Sequence, residues 1–280
     1  MKDIHIVIVN YLMKNDIVEI LHNIFDDIKD SAIDVAVTVV DNSQNQDGIK
    51  QQLLQFEAVN YIDAHANIGF GKANNLGFRS QEARYYFSLN PDTKIDKDQQ
   101  VIKRMVDFMD ANKKIGAIGP KVLHFDDALQ YTCYRFNLSS ILVKPFRQLK
   151  LDKKFKTIKK YVDQLEMRDF DHNKTQPVDW VLGAAMIVRK EVTDKIGWFD
   201  ERYFMYLEDC DWCRRMWEAN YSVYYVHDIV IKHRHGRGSA KVPGVFTALI
   251  KNKLARIHLA SWLKFLWKWR GNNKYYEKIS

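Results

Sequence analysis

Short apolar runs rich in β-branched residues alternate with helical patterns along the first half of the chain. Residues 5–11 read HIVIVNY and residues 35–42 read VAVTVVDN, while residues 15–28 between them repeat apolar side chains at helical spacing. Further strand-like runs are YYFSLNP (85–91), IGAIGPKV (115–122) and SVYYVHDIVIKH (222–233). Nearly continuous apolar strands separated by helices predict an α/β domain with a mostly parallel central sheet flanked by helices.

Composition supports a globular protein of one large or two small domains. The chain has 280 residues, of which 46% are hydrophobic, and this excludes a disordered or fibrous protein. Its three cysteines form no disulfide framework, which favours a reducing compartment. The first apolar run is too short for a secretion signal, and no run of eighteen apolar residues occurs. We therefore expect a cytoplasmic protein that does not span a membrane.

The positive charge is concentrated in two segments. The formal net charge is +8, yet residues 144–160 hold eight Lys and Arg against Asp152, and residues 251–280 hold eight against Glu277. Each segment is therefore +7, and the remaining chain is negative. Such regional basicity predicts two surfaces that contact an anionic partner. No nucleic-acid recognition motif accompanies the charge, so we do not expect nucleic acid to be that partner.

Polar residues close several of the predicted strands, at Asn10 and Tyr11, at Asp41, and at Asn90 and Asp92. In α/β sheets ligands bind outside the carboxyl ends of the strands, which makes these residues candidates for a ligand site. Asp41 could bind a nucleotide base or ribose, or could cap a turn. Asp92 suits Mg²⁺ or Mn²⁺ bridging a diphosphate, although the stretch SLNPDTKID is also a good turn with an Asp cap.

A glycine-containing stretch, NIGFGKANNLG (67–77), leads into a predicted helix. Gly69 and Gly71 would allow close approach of the backbone to a phosphate at the helix N-terminus. The pattern is neither a Rossmann fingerprint nor a P-loop. A plain turn at the helix entry is the alternative interpretation.

An acidic stretch, FMYLEDCDWCRR (204–215), is predicted to begin a helix. Glu208 and Asp211 share a face of that helix, and Asp209 projects to another side. The helix dipole is expected to hold a carboxylate there ionised, which suits a general base and equally suits capping. Cys210 and Cys213 lack a second cysteine pair, so we expect them to pack in the protein rather than to bind zinc.

Two histidines, His233 and His235, close the last predicted strand before a glycine-rich loop. Either one could ligate a metal or contact a phosphate, and ordinary surface histidines are the alternative. Trp180 precedes Gly183 and Ala184 in another strand-like run, where it could stack on a sugar or pack in the core.

The order of these motifs resembles that of the family 2 glycosyltransferases, and within them the bacterial rhamnosyltransferase-like branch. The matching stretches lie within residues 4–239, and the last forty residues fall outside them. They are VIVNY, VVDNS, NIGFGKANNLG, LNPDT, DWVLGAAMIVRKEV, GWFDERYFMYLEDCDWCRR and HRHGRGS.

The resemblance implies a GT-A-type fold and inverting sugar transfer from a nucleotide-diphosphate donor. We expect a catalytic domain over 1–240, with a donor-binding half (1–123) and a catalytic half (177–240). The pattern of strands and helices loosens between them, which predicts a basic, partly mobile insertion (124–176), and helical spacing predicts a C-terminal extension (241–280). The implied donor-binding residues are Asn10, Tyr11, Asp41, Asn67, Gly69, Gly71, Asn74 and Asn90. The implied acceptor or sugar contacts are Trp180, Gly183 and Ala184.

The resemblance also implies the catalytic and metal residues. Asp209 matches the catalytic base, with Glu208 and Asp211 orienting it or the acceptor. Asp92 matches the second acid of the family's Asp-x-Asp metal motif, whose first position is here Asn90. That departure leaves one carboxylate for Mg²⁺ or Mn²⁺, so a histidine ligand gains importance, with His235 slightly preferred over His233.

The branch implies transfer of rhamnose from dTDP-rhamnose to a lipid-diphosphate-linked glycan in bacterial surface polysaccharide synthesis. A UDP-galactose or UDP-glucose transferase, an inactive sugar-nucleotide-binding or membrane scaffold, and a nucleotidyltransferase are the alternatives. The basic segments would then contact the anionic inner face of the cell membrane, with Trp262, Trp267 and Trp269 of a C-terminal helix in the interface. A docking helix or a contact within an oligomer is the alternative for that helix.

Overall fold

A central sheet with helices on both faces organises the chain. The computed structural model describes residues 1–136, 150–234 and 251–272. The strands among them are β1 (Lys2–Asn10), β2 (Val35–Asp41), β3 (Val59–Asp63), β4 (Ala83–Leu89), β5 (Thr93–Lys94), β6 (Ile115–Leu123), β7 (Leu129–Gln130), β8 (Cys133–Tyr134), β9 (Gln176–Pro177), β10 (Trp180–Val181), β11 (Ala185–Arg189) and β12 (Ser222–His233).

Helices connect the strands as the alternating pattern predicts. They are α1 (Lys14–Ile28), α2 (Ile49–Leu53), α3 (Phe70–Phe78), α4 (Val101–Ala111), α5 (Leu151–Lys154), α6 (Lys156–Leu165), α7 (Lys190–Ile196), α8 (Glu208–Glu218) and α9 (Lys253–Trp269). The predicted α/β class, the acidic helix and the C-terminal helical segment are thus all present.

Strand directions in the sheet are mixed, with the long strands mostly parallel. The order is β3-β2-β1-β4-β11-β6-β12-β5, with β7 beside β6 and β9 beside β12. β1 runs parallel to β2 and β4, β2 to β3, and β6 to β12. β11 lies antiparallel between β4 and β6, so the six long strands on its two sides all point the same way. Their carboxyl ends therefore meet at one edge of the sheet.

Both faces of the sheet are covered, which explains the nearly continuous apolar strands. Ile6 points to one face and packs with Ile20 of α1. The next residue, Val7, points to the opposite face and belongs to the cluster that contains Ala73 of α3 and Trp212 of α8. Because successive side chains of a strand alternate between faces, two covered faces require apolar residues at almost every position.

The segment predicted as an insertion begins inside the sheet. β7 pairs antiparallel with the end of β6, with Gln130 opposite Val122. Of the basic stretch 144–160, residues 150–160 are described and hold α5 and the first part of α6. His235 and the other histidine-loop residues up to 250 lie outside the described residues, so the preference for His235 stays a prediction.

The C-terminal helix α9 packs against the rest of the protein. Ala255, Ser261, Phe265 and Trp269 are buried. Trp269 is only 7% exposed, so its ring is covered by protein and is not available to a membrane interface. Of the three tryptophans predicted to meet a membrane, Trp267 is 65% exposed. None of the helices in the described residues is both long enough and apolar enough to cross a bilayer.

Candidate active site

The polar residues that close the strands lie together at one edge of the sheet. Asn10 of β1 is in register with Asp41 of β2, which is in register with Asp63 of β3. Next to β4, the Asn90 N–H donates to the Ala184 carbonyl at 2.8 Å, just before β11 begins. The structure thus brings together residues that are far apart in the sequence, at the edge where α/β sheets bind ligands.

Asp41 is fully buried and surrounded by hydrogen-bond donors. Its Oδ1 accepts from Asn10 Nδ2 at 2.9 Å, from the Ser43 N–H at 2.8 Å and from Ser43 Oγ at 2.6 Å. Its Oδ2 accepts from the Asn45 N–H at 2.6 Å and from the Tyr61 hydroxyl at 3.1 Å. Burial alone would raise the pKa of Asp41, but these hydrogen bonds outweigh it and lower the pKa. Contact with a nucleotide base would require one of these donors to move.

A second carboxylate, which the sequence analysis missed, supports the same loop. Asp47 accepts from Asn10 Nδ2 at 3.2 Å, from the Lys14 N–H at 3.1 Å and from the Ile49 N–H at 3.2 Å. It therefore links the starts of two helices to the end of β1. The adjacent Tyr11 is 52% exposed and open to solvent. The available signal was an acid just before the helical stretch GIKQQLLQFEA (48–58), since Asp commonly caps helices.

The glycine turn before α3 packs against the segment that leads into α8. Gly69 has a φ of +89°, and a Cβ there would lie 2.2 Å from the Phe204 carbonyl oxygen. The Phe70 N–H donates to that same oxygen at 2.8 Å. At Gly71 a Cβ would lie 3.4 Å from the Glu208 Cβ. Gly69 is thus required where this turn contacts the segment before the acidic helix, and Gly71 packs closely against the first residue of that helix.

Asparagines complete this turn. Asn67 Oδ1 accepts from the Gly69 N–H at 3.1 Å, and Asn42 Nδ2 donates to the Gly69 carbonyl at 3.2 Å. Asn74 donates to the Phe70 carbonyl at 3.0 Å, while its buried Oδ1 has no hydrogen-bond partner among the described residues.

The buried His233 pairs with the partly buried Asp92 at the same sheet edge. His233 Nε2 lies 3.1 Å from Asp92 Oδ1 and 3.5 Å from Asn90 Nδ2. Burial would raise the pKa of Asp92, but the hydrogen bond and charge of His233 lower it overall. On the other side of the ring, His233 Nδ1 lies 3.0 Å from Gln130 Nε2. Gln130 was missed in the sequence, where nothing marked a partner 103 residues before the histidine.

This pair fits a magnesium or manganese ion that draws further ligands from a substrate. Within residues 1–136, 150–234 and 251–272, no three His, Cys, Asp or Glu side chains come together to hold a metal. Mg²⁺ in phosphate-handling enzymes is commonly held by one or two carboxylates, with water and substrate phosphates completing the shell. Asp92 supplies the carboxylate that such an incomplete site prefers, and His233 would add a nitrogen ligand, which is softer than the oxygens that Mg²⁺ favours.

The acidic helix α8 begins after two residues in the left-handed region. Tyr206 and Leu207 have φ of 72° and 71°, which is unfavourable for bulky side chains. The strained entry delivers Glu208 and Asp209, both buried, to the interior of the site. Asp209 Oδ2 accepts from the Gly183 N–H at 2.9 Å, and its Oδ1 accepts from the Cys210 N–H at 2.8 Å.

Burial controls the ionisation of this pair. It raises the pKa of Asp209, and the N–H groups of Gly183 and Cys210 offset only part of that effect. Burial, followed by the charge of Asp209, raises the pKa of Glu208 well above its usual value. The helix terminus was expected to hold a carboxylate here ionised, and burial acts against that effect by raising the pKa of Asp209. Glu208 Oε2 has no hydrogen-bond partner among the described residues, so Asp209 is the better stabilised carboxylate of the two.

Asp211 anchors α9 to α8. Its carboxylate is fully buried and accepts from Trp269 Nε1 at 2.9 Å, from Lys268 Nζ at 2.8 Å and from Arg215 Nε at 2.9 Å. Lys268 also donates to Asp200 at 2.7 Å. These contacts give Asp211 a structural role and make the C-terminal helix part of the acidic cluster. The sequence predicted a helix here but did not identify Asp211 as its partner.

The other residues singled out in the sequence, Trp180, Gly183 and the cysteines, have defined contacts in the structure. Trp180 stacks on Tyr134 with ring centroids 4.5 Å apart, so one ring face is already covered. Its neighbour in the site, Gly183, holds Asp209, and the Gly183 carbonyl accepts from Ser88 Oγ at 2.9 Å. The three cysteines are free thiols that are buried in the protein, which agrees with a packing role.

A comparison with family models decides the class of the protein. Residues 4–175 match the model described as glycosyl transferase family 2. The chain belongs to glycosyl transferase family 2. Membership supports a transferase and agrees with the arrangement above, in which strand-end polar residues, a metal-compatible pair and a buried acidic pair share one sheet edge.

Curated relatives of this glycosyltransferase include rhamnosyltransferases at low identity. The N-acetylglucosaminyl-diphospho-decaprenol L-rhamnosyltransferase of Mycobacterium tuberculosis is 27% identical over 227 residues, covering 75% of this chain and 69% of that protein. The rhamnosyltransferase WbbL of Escherichia coli is 25% identical over 292 residues, covering 99% and 98%. The chain spans 64% of the length of a third relative, a low-salt glycan biosynthesis hexosyltransferase of Haloferax volcanii, at 25% identity.

Two solved structures share the fold. A mannosyltransferase from Pyrobaculum calidifontis, solved with GDP-mannose and Mn²⁺, has a TM-score of 0.54 and 14% identity, covering 94% of this chain and 71% of that one. GalNAc-T7, solved with UDP, GalNAc and Mn²⁺, has a TM-score of 0.58 and 12% identity, covering 83% and 44%. At these identities the likeness supports the GT-A-like fold predicted from the sequence.

Proposed function

We propose that this family 2 glycosyltransferase is an inverting rhamnosyltransferase that uses dTDP-rhamnose to extend a lipid-diphosphate-linked glycan in bacterial surface polysaccharide synthesis. The observation that carries the catalytic part is the buried pair at the start of α8, where Asp209 has two N–H donors and Glu208 Oε2 has none among the described residues. The names of the mycobacterial and Escherichia coli relatives support rhamnose as the sugar.

Asp209 acts as the general base in this proposal. Its carboxylate takes the proton of the acceptor hydroxyl as that oxygen forms a bond to the anomeric carbon and the bond to the diphosphate breaks. Glu208 keeps its proton, because burial and the Asp209 charge both raise its pKa. The pair therefore carries one negative charge, and the Gly183 and Cys210 N–H groups favour Asp209 as the residue that carries it.

Asp92 and His233 would hold a divalent cation, Mg²⁺ or Mn²⁺. The cation would supply positive charge to the departing diphosphate. The contact between the buried His233 and the partly buried Asp92 supports this cation site, as does the Mn²⁺ in the two fold relatives. The residues proposed to line the donor side of the site are Asn10, Tyr11, Asp41, Asn67, Gly69, Gly71, Asn74 and Asn90. Trp180, Gly183 and Ala184 are proposed for the acceptor side.

A panel of sugar nucleotides tests the donor. Purified protein with Mn²⁺ is mixed with dTDP-rhamnose, UDP-galactose, UDP-glucose or GDP-mannose, and transfer to a prenyl-diphosphate N-acetylglucosamine acceptor is followed by mass spectrometry. Only with dTDP-rhamnose do we expect a product that is about 146 Da heavier than the acceptor, which is the mass of one rhamnosyl residue. Preferred transfer from a UDP-hexose would overturn the rhamnose assignment, and binding without transfer from any donor would favour the scaffold.

The outer face of α9 supports a membrane-surface location on the cytoplasmic side. Leu263 and Trp267 are 53% and 65% exposed beside the exposed cations Lys264 and Arg270. Arg270 lies over the Trp267 ring at 4.3 Å from its centroid. Exposed apolar and aromatic side chains flanked by cations are typical of surfaces that bind anionic bilayers.

Vesicle sedimentation tests the location. The double variant Leu263→Ala with Trp267→Ala is expected to bind phosphatidylglycerol vesicles at least about tenfold more weakly than the wild-type protein, because it loses the inserted apolar groups. Leu54→Ala removes an apolar side chain that is 80% exposed elsewhere and should bind normally. Equal binding by all three proteins would contradict a membrane role for this face.

A further inference from the structure

The ring of His233 is held on one side by the loop between β4 and β5 and on the other by strand β7. Its Nε2 faces Asp92 at 3.1 Å and Asn90 at 3.5 Å, and its Nδ1 faces the Gln130 amide at 3.0 Å. His233 and Gln130 are 3% and 5% exposed, so this contact is sheltered from bulk water. Gln130 reaches the ring because β7 pairs with the end of β6, which itself pairs with β12.

A glutamine amide can serve either tautomer of a neutral imidazole. With its NH₂ toward the ring, Gln130 donates to Nδ1, and the ring then carries its proton on Nε2 and donates it to Asp92. With the amide turned by half a rotation, Gln130 Oε1 accepts a proton from Nδ1, and Nε2 then offers a lone pair. Heavy-atom positions fit both arrangements equally.

Metal binding selects one of these arrangements. A histidine that ligates a metal through Nε2 must carry its proton on Nδ1, and that proton is normally donated to an acceptor which fixes the ring. In the structure Gln130 Oε1 has no hydrogen-bond partner among the described residues, so turning the amide breaks no contact of that oxygen there. The acceptor that a ligating His233 needs is therefore already within reach.

We propose that Gln130 is a positioning residue that sets the tautomer of His233, by turning its amide from donor to acceptor when a divalent cation binds at Asp92 and His233. The inference rests on the proposed metal role of that pair. Gln130 does not touch the cation or the sugar nucleotide in this account. It acts through the imidazole, whose Nε2 it makes available as a ligand.

Two substitutions separate this role from simple packing. Gln130→Leu keeps the approximate size and removes both donor and acceptor, whereas Gln130→Glu keeps an acceptor and removes the donor. Gln176→Leu is the matched control, because Gln176 lies in the short edge strand β9 and bonds the Asp171 carbonyl at 3.2 Å, away from His233.

The readouts are Mg²⁺ affinity and the ¹⁵N shifts of His233, measured on the full chain with dTDP present, so that neither depends on turnover. In the wild-type protein Mg²⁺ should move the proton signature from Nε2 to Nδ1. We expect Gln130→Leu to bind Mg²⁺ about 10–100-fold more weakly and Gln176→Leu to bind normally. Gln130→Glu should show the Nδ1 proton even without Mg²⁺.

The outcomes distinguish this inference from the proposed function. If the wild-type protein binds no Mg²⁺, the metal role of Asp92 and His233 fails and the Gln130 role fails with it. If the wild-type protein and Gln130→Leu bind Mg²⁺ equally, only the Gln130 role is overturned. Should Gln130→Leu not fold, Gln130→Glu decides, because the absence of an Nδ1 proton in that metal-free variant would contradict the proposal.

Discussion

The end of β2 and the start of α8 each bury an aspartate, and the two aspartates shift in opposite directions. Asp41 is 0% exposed and accepts five hydrogen bonds from its own chain, and its pKa is lowered. Asp209 is 6% exposed and accepts two from backbone N–H groups, and its pKa is raised. Burial acts to raise the pKa of both carboxylates; the hydrogen bonds outweigh it at Asp41, whereas the two N–H groups at Asp209 do not.

The comparison separates an organising carboxylate from one suited to exchange a proton. Asp41 fixes the loop after β2 and has no acceptor position to spare, whereas Asp209 has unused acceptor capacity in a dry site. A general base works best when its pKa lies near the pH at which the enzyme operates. Burial raises the pKa of Asp209 towards that range. We propose that this difference divides the donor side of the site from the catalytic side.

The largest effect is expected at Asp209. Asp209→Asn keeps the side-chain size and removes the base, so kcat of sugar transfer should fall about 10²–10⁴-fold. The variant should remain folded, and its melting temperature is measured to check this. Removing a buried ionisable group is stabilising, whereas the amide NH₂ cannot accept the N–H of Gly183 or Cys210 as the carboxylate does, so no gain in stability is required. Radiolabelled transfer assays with the two proteins at equal concentration give the ratio. Retention of wild-type kcat would remove Asp209 from the chemistry.

Asp41 should matter for stability instead. Asp41→Ala leaves five donor bonds without their acceptor in a buried loop, which should lower the free energy of unfolding by about 2–4 kcal/mol in urea denaturation. Asp63→Ala, at the matching end of β3, is the control and should cost less than about 1 kcal/mol. Equal losses at both positions would show that the donor count around Asp41 does not matter.

The anchor beneath the acidic helix is expected to contribute a smaller amount. Trp269→Phe removes the N–H that donates to Asp211, and a hydrogen bond to a charged group contributes about 1.5–3 kcal/mol to stability. Trp267→Phe changes an exposed ring on the same helix and should stay within about 0.5 kcal/mol of the wild-type value. Chemical denaturation of both variants tests whether α9 is part of the catalytic domain.

The smallest effect concerns the pH dependence of stability at Glu208. Its folded-state pKa is raised above the ordinary value of 4.5, so the folded protein loses stability as pH rises from that value through the folded pKa. Glu208→Gln cannot ionise and should remove this loss. Its melting temperature should match the wild-type value in acid and exceed it at neutral pH, by about 2–4 °C for each kcal/mol recovered.

A matched variant isolates the burial of Glu208. Glu57→Gln changes an exposed carboxyl and should follow the wild-type curve at every pH. If Glu208→Gln also followed the wild-type curve at every pH, the raised pKa of Glu208 in the folded protein would be contradicted.

Local patterns predicted much of the fold, and long-range contacts account for what they missed. The strands and helices around Asn10, Asp41 and Asp92 were predicted because period and turn chemistry are local properties. Gln130 meets His233 across 103 residues and Trp269 meets Asp211 across 58, and no local pattern encodes such pairs. The raised pKa of Asp209 was missed for a related reason, since burial depends on the packed structure.

The pH dependence of kcat/KM for sugar transfer tests the central claim most directly, because it reports the base of the free enzyme. With Mn²⁺ and saturating acceptor, the account predicts activity that rises with pH on the acid side, with a midpoint above the ordinary aspartate value of 3.8. The residual activity of Asp209→Asn should lack that rise. A wild-type profile that is flat across the acid side, or the same rise in Asp209→Asn, would contradict the assignment of Asp209 as the buried base.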